Sequence, residues 1–533
     1  MPINTEFKPP LGRGRRLFDF PESEGLNDSE RILTALCRKS FLRLWSLTNV
    51  FTDEGFKDGK GSTRELCDAL VIFGSDVIIF SDKHITFQVD RDLSVAWPRW
   101  YKRAVLDSCK QLHGAKSWLQ RFPNRIYLDA KCTCSVPVSM PIPSSVRFHL
   151  VAVTRGSREA ALAYNGGDGL GSFGLNSATE GGGHYETPFT IGLPEPDKHF
   201  VHAFDEVSIE LLLSELDTAA DLLDYLKKRE ALLGRRGTQV AAYGEEELLA
   251  SYLRTMDSEG LEHVFFDTPA REGPPDAVFF SEGFYRALSD DPGYKRKKLA
   301  DSISYEWDRL IDRFFEYGDA GLHARYVNQS SAECEQGLRL MAAESRFRRR
   351  QLAEAFIGAL RRVGPGERLG RLVYGGVAGE TVYVFVVVGK QRDETYDEYR
   401  QYRIAVLHAY VRTARLKAPL GTTFVGIAFD NPHKDYEGGS EDLFVLLKET
   451  WTVDELAEIE AKRHELGLWG DAMEFWRFRQ DEFPQADQRI ALRRVLAAAP
   501  MEFSQERRGE SKAAEKRLRK MKRASKRRNR GKK

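Results

Sequence analysis

Nowhere in this chain of 533 residues do eighteen apolar side chains follow one another, so no segment reads as a transmembrane helix. Lys8, Arg13, Arg15 and Arg16 stand near the start, but no apolar stretch follows them, and a secretory signal is not expected. Cysteine is scarce. Of Cys37, Cys67, Cys109, Cys132, Cys134 and Cys334, only Cys132 and Cys134 are close, and no second Cys/His pair at zinc spacing follows. That excludes a disulfide scaffold and a zinc ribbon and leaves free thiols, as expected of a cytoplasmic protein. Walker motifs, zinc-binding His pairs and a Ser/His/Asp hydrolase order are absent too.

The composition is that of a globular protein, 42% hydrophobic and 30% charged, and the length exceeds what one core serves. The net charge of +1 hides an asymmetry. Residues 507–533 hold fifteen Lys/Arg and two Glu, leaving 65 basic and 77 acidic residues in the rest, a balance of −12. The tail is almost free of aromatics and cannot bury a core against its own repulsion, so it is expected to be disordered. Such charge suits the phosphates of a nucleic acid, held by counterion release. The missing aromatics argue against base stacking on single strands.

The most informative stretch is Glu65 to Lys83. Two apolar strands rich in Val, Ile and Phe are joined by a Gly74-Ser75-Asp76 turn, with Asp68 near the head of the first and Asp82-Lys83 at the tail of the second. A hairpin brings such ends together. An acid can hold a hard divalent cation there, Mg²⁺ or Mn²⁺, and a lysine can neutralise developing charge. Before the hairpin, Asn27 or Asp28 caps a helix over Ser29–Trp45 with the stripe Leu33, Cys37, Phe41 and Leu44; Glu30 lies on that stripe. His84 to Val89 reads as a continuation of the strand. A helix is predicted over Tyr101–Gln120 and a strand over Val146–Thr154. Helix, hairpin, helix and strand together make a mixed α/β domain.

Residues 164–184 are rich in glycine, but no apolar strand feeds them and no Lys-Ser/Thr closes them. They read as a mobile insertion rather than a phosphate cradle. A strand near Phe200–Phe204 and a helix over Ser208–Arg229 follow, with Asp217, Asp221 and Asp224 read as a solvated face. Further on, helices are expected at Ala300–Tyr317, Ser331–Arg362 and Tyr396–Lys417. Strands are expected at Thr381–Val388, Thr422–Phe429 and Asp442–Leu447, with a helix starting near Thr452. The organisation is therefore an arm (1–24), an α/β domain (25–235) with a glycine-rich insertion at about 160–195, a connecting region (236–292), a second α/β domain (293–500) and a basic tail (501–533).

Glu30 on the first helix, Asp68 on a strand, Lys83 on the next and Gln111 on the following helix resemble the nuclease-related domain branch of the PD-(D/E)xK, or restriction-endonuclease-like, superfamily. The resemblance covers roughly residues 25–155. It implies a mixed sheet flanked by helices and a Mg²⁺-dependent nuclease. Asp68 would bind metal, Lys83 would stabilise charge, Glu30 would anchor a water or second ion, and Gln111 would orient a phosphate. The family places its second acid two residues before the lysine, and that position holds Ser81. Asp82 or Glu65 would have to supply the missing carboxylate. Ser108 and His113 flank Gln111 and read as surface residues. Three functions follow as expectations: a nuclease, a non-catalytic nucleic-acid or ribonucleoprotein binder on the same fold, and an interaction scaffold with an acidic partner.

Overall fold

The computed structural model describes residues 16–470, with Phe483 and Pro484, apart from 57–61, 142–143, 167–168, 235–236, 258–261, 267–274, 319–326, 328, 365, 375–380, 391–392 and 431–440. The basic tail and most of the expected arm thus lie outside the described residues. No described helix is long and apolar enough to cross a membrane.

Asn27 starts the first helix by accepting the Glu30 N–H at 3.0 Å, and α1 (Asp28–Trp45) buries Leu33, Cys37, Phe41 and Leu44 as its spacing predicts. It leads into a meander of β1 (Ser46–Thr52), β2 (Arg64–Phe73) and β3 (Asp76–His84). Gly74, at φ +62°, lets β2 turn into β3, a conformation other residues adopt only at a cost. β3 stops at His84 instead of running to Val89. The expected second helix is longer and interrupted: α2 (Leu93–Tyr101), a π-helical turn over Lys102–Leu106, then α3 (Asp107–Arg121). After β4 (Ile126–Tyr127), β5 (Arg147–Arg155) returns parallel to β3. Next come α4 (Arg158–Tyr164), β6 (Gly174–Glu180), β7 (Thr190–Leu193) and β8 (Val201–Asp205). The first sheet runs β4-β1-β2-β3-β5-β8, antiparallel through the meander and parallel from β3 onward.

The glycine-rich region contributes regular strands to a sheet. Its strands β6 and β7 join β9 (Gln239–Ala242) and β10 (Ala277–Phe280) in a second sheet, β10-β9-β6-β7. The helix expected over Ser208–Arg229 is two, α5 (Glu206–Glu215) and α6 (Ala219–Leu233), followed by α7 (Glu245–Arg254). Asp217, in their joint, is buried rather than solvated and pairs with Arg346 at 2.9 Å and Lys39 at 3.1 Å. Then come α8 (Phe284–Asp290), α9 (Pro292–Asp301), α10 (Tyr305–Tyr317), α11 (Ser331–Ala342) and α12 (Arg346–Leu360). The last part contains β11 (Arg368–Val373), β12 (Thr381–Val388), α13 (Tyr396–Thr413), β13 (Thr423–Asp430), β14 (Glu441–Leu447) and α14 (Val453–Leu466). Its sheet, β11-β12-β13-β14, is parallel only between β12 and β13.

Alternation along β12 shows how the parts join. Tyr383, Phe385 and Val387 enter the core that also holds Trp45, Ile79 and Trp307, while Val382, Val384 and Val386 enter a separate core under α13. One apolar core therefore spans both halves of the chain.

Candidate functional site

β2 and β3 separate after the Ala69–Phe80 pair. Just beyond, the Asp82 N–H donates to Asp68 Oδ2 at 2.6 Å, so a side chain satisfies a backbone donor beyond the end of the ladder. Asp68 is buried. Burial drives its carboxyl up to about 7; the Asp82 N–H and the Lys83 charge pull it down, while the charge of Glu65 pushes it further up. In the metal-free chain, burial therefore works against the charged carboxylate that a hard cation needs.

Strand alternation sends Ser81 and Lys83 to one face of the sheet, under α3. There Ser81 Oγ donates to Gln111 Oε1 at 3.0 Å and lies 3.3 Å from Ser108 Oγ, whose own proton goes to the Ala104 carbonyl. The position that would carry a second acid is thus filled by a neutral hydroxyl, itself engaged by a neutral amide. Ser108 is fully buried, not a surface residue, and His113 is half-buried with Nε2 3.0 Å from Glu195. Lys83 makes no ion pair among the described residues.

Asp82 leaves the opposite face. Its carboxylate has no exposed side-chain surface, and Arg155 Nε, at the end of β5, reaches its two oxygens at 3.2 and 3.1 Å. Arg155 Nη1 also donates to Glu210 on α5 at 2.9 Å. Burial works against the guanidinium charge, but Asp82 and Glu210 more than restore it. Asp82 is therefore an ion-pair partner of Arg155, while its charge still raises Asp68, and burial with the charge of Glu30 raises Asp82 in turn.

Glu30 and Glu65 meet through a residue that the sequence did not single out. Asn49 Nδ2 donates to Glu30 Oε2 at 3.2 Å and to Glu65 Oε1 at 3.1 Å, while Asn49 Oδ1 accepts from Ser23. Glu30 also accepts the Leu26 N–H and the Asn27 side-chain amide, and so closes the start of α1. Asn49 sits at φ +53° between Thr48 and Val50, the partners of Ala69 and Cys67, which brings it beside Asp68. A polar residue of low strand propensity inside Ser46–Thr52 was a usable signal. Arg155 gave none, because its partner lies 73 positions away.

The structure thus gathers Glu30, Glu65 and Asp68 near Asn49 at one end of β2, sets Ser81 against Gln111, and pairs the Asp82 carboxylate with Arg155. Mg²⁺ demands near-octahedral oxygen ligands including carboxylate. Asp68 offers one unengaged oxygen, and Glu65 would have to share its charge with Asn49. The group fits Mg²⁺ or Mn²⁺ poorly. No family model, no curated protein and no solved structure matches this chain.

Proposed function

We propose that this chain is a nucleic-acid-binding protein on a restriction-endonuclease-like core whose phosphodiesterase site has lost its metal-holding power. The observation carrying this reading is the fate of the second acid: Ser81 engages Gln111, and Asp82 is committed to Arg155. The order helix, three-stranded meander, helices and parallel strand supports the core assignment. The fifteen cations after residue 506 support a polyanionic partner.

A second reading, a Mg²⁺- or Mn²⁺-dependent nuclease, has one specific support. Glu65 is close enough for its charge to raise Asp68, so these two acids together could replace the usual pair. One experiment separates the readings. Labelled single- and double-stranded DNA and RNA are titrated with the full-length protein, first with chelator and then with Mg²⁺ or Mn²⁺, and the products are run on denaturing gels. Metal-independent binding with intact substrate is expected. Metal-dependent cleavage abolished by Asp68→Asn and Glu65→Gln would replace the first reading by the second. Failure to bind any of the four polymers would leave the interaction-scaffold reading.

A further inference from the structure

A second polar cluster lies at the other end of the same parallel strands, where β5 and β8 begin. His149 on β5 is 3% exposed and His202 on β8 is 0% exposed. His149 pairs with Ile78 and His202 with Val151, so alternation sends both rings, with Asp76, to one face of the sheet. Glu230 comes from α6. One nitrogen of each ring and one Glu230 oxygen lie within 4.8 Å of one another.

Hydrogen bonding decides which nitrogens are offered. His149 Nε2 is 2.9 Å from Asp76 Oδ1, and the other Asp76 oxygen receives Arg147 at 3.0 Å and Lys227 at 3.1 Å. A carboxylate so surrounded accepts, so His149 Nε2 carries the ring proton and Nδ1 is left with a lone pair. That buried Nδ1 has no partner, and neither has His202 Nε2. Each ring thus has one buried nitrogen without a partner, and a nitrogen of each lies within 4.8 Å of a Glu230 oxygen, an arrangement that calls for an occupant. Either His202 gives its own proton toward His149, using Arg229 Nη1 at 3.3 Å as donor to Nδ1, or a cation takes both lone pairs. The rings do not hydrogen-bond each other, and the arrival of Glu230 adds a third donor that a proton between rings would not need.

We propose that His149 Nδ1, His202 Nε2 and the Glu230 carboxylate bind one zinc-class divalent ion, with water in the fourth position, joining α6 to β5 and β8. Two imidazoles and a carboxylate are a donor set suited to Zn²⁺. Asp76 supplies the outer carboxylate that orients a ligating histidine. In the loaded form the His202 proton sits on Nδ1 and the long Arg229 contact opens. Arg229 stays paired with Glu245 at 2.8 and 2.9 Å. None of these residues enters the polynucleotide reading, so either can fail alone.

The test uses full-length protein carrying Cys132→Ser and Cys134→Ser, since those half-buried thiols would otherwise compete for metal. Chelator-stripped protein is titrated with ZnCl₂ against a chromophoric chelator, and Co²⁺ is added separately for visible spectroscopy. One ion per chain and the absorption of four-coordinate Co²⁺ are expected. Asp76→Asn should weaken binding about 10- to 100-fold, and Glu230→Gln by about 100-fold or more. His149→Gln and His202→Gln should abolish stoichiometric binding; should these variants not fold, Glu230→Gln, at a half-buried position, decides. Absence of stoichiometric binding, or Glu230→Gln binding as tightly as its parent, would overturn the site and leave a proton-sharing histidine pair.

Discussion

Asp68 carries an ionisable carboxyl in a place where ionisation is costly, and that cost is measurable. Its folded value of about 7 lies above the ordinary 3.8, so the folded chain holds this proton more tightly than the unfolded chain. The stability contributed by the protonated form is complete below about pH 4 and is lost as pH rises toward 7. Asp68→Asn keeps an oxygen for the Asp82 N–H and removes the titration. The variant should nearly match the parent near pH 4 and exceed it at pH 8 by about 4 kcal/mol, read from urea unfolding across pH. A difference that does not change with pH would sink this account. Residues of this kind were legible in part. Asp68, Lys83, Glu30 and Gln111 stand in local patterns, whereas Asn49, Arg155 and the His149–His202 pair meet their partners only after the sheet has formed. The sequence placed Ser81 opposite an expectation, and the structure supplied what meets it.

Strands and helices were legible where period and composition agreed. β5 and β12 are rich in β-branched and aromatic residues, and their limits fall within a residue of expectation, whereas β3 stops five residues short of Val89. The second sheet escaped notice because Gly174–Glu180 and Gln239–Ala242 are short and poor in such residues. The long helices over Ser208–Arg229 and Ser331–Arg362 were overextended for the opposite reason. The apolar period runs on through joints marked only by a capping Thr218 and Ser345. Two substitutions probe how elements hold one another. Arg155→Met leaves Asp82 buried without its cation and should cost about 3–5 kcal/mol in denaturant unfolding. Adding Asp82→Asn should recover much of that loss; an additive double variant would mean the pair does not couple β3 to β5. At the other sheet, a Cβ on Gly426 would lie 2.2 Å from Val411 Cγ2 and 2.9 Å from Leu407 Cδ1, both on α13. Gly426→Ala should therefore lower stability by about 1–3 kcal/mol, and an unchanged melting temperature would show that α13 can lift away from β13.

At the scale of the whole chain, a buried ionic network crosses the boundary drawn from sequence near residue 293. Arg346 reaches Asp217 at 2.9 Å and Asp308 at 2.7 Å, and Arg349 reaches the other Asp308 oxygen at 2.6 Å. Trp45 Nε1 donates to Glu335, and the Leu17 N–H donates to the Gly318 carbonyl. These ties were invisible in the sequence, because charge and apolar content carry no record of which half they serve. A fragment ending at residue 290 loses Arg346 from beside buried Asp217 and exposes core contacts around Trp45. It should be insoluble or lack a cooperative melt, while residues 16–484 should unfold in one transition; a soluble, sharply melting fragment would show two independent domains. The tail is the opposite case. Its fifteen cations and two anions contrast with a remainder of −12, so polynucleotide affinity should depend on it. Truncation after residue 506 should weaken binding about equally for unrelated sequences. With about five to eight cations on duplex phosphates, the slope of log K against log salt should fall in magnitude by roughly 4 to 7. Repulsion from the acidic remainder should then make the truncated chain a poorer ligand for polyanions at low salt, where screening is weakest. Equal affinity and slope before and after truncation, measured by anisotropy from low to moderate salt, would assign the tail to some partner other than nucleic acid.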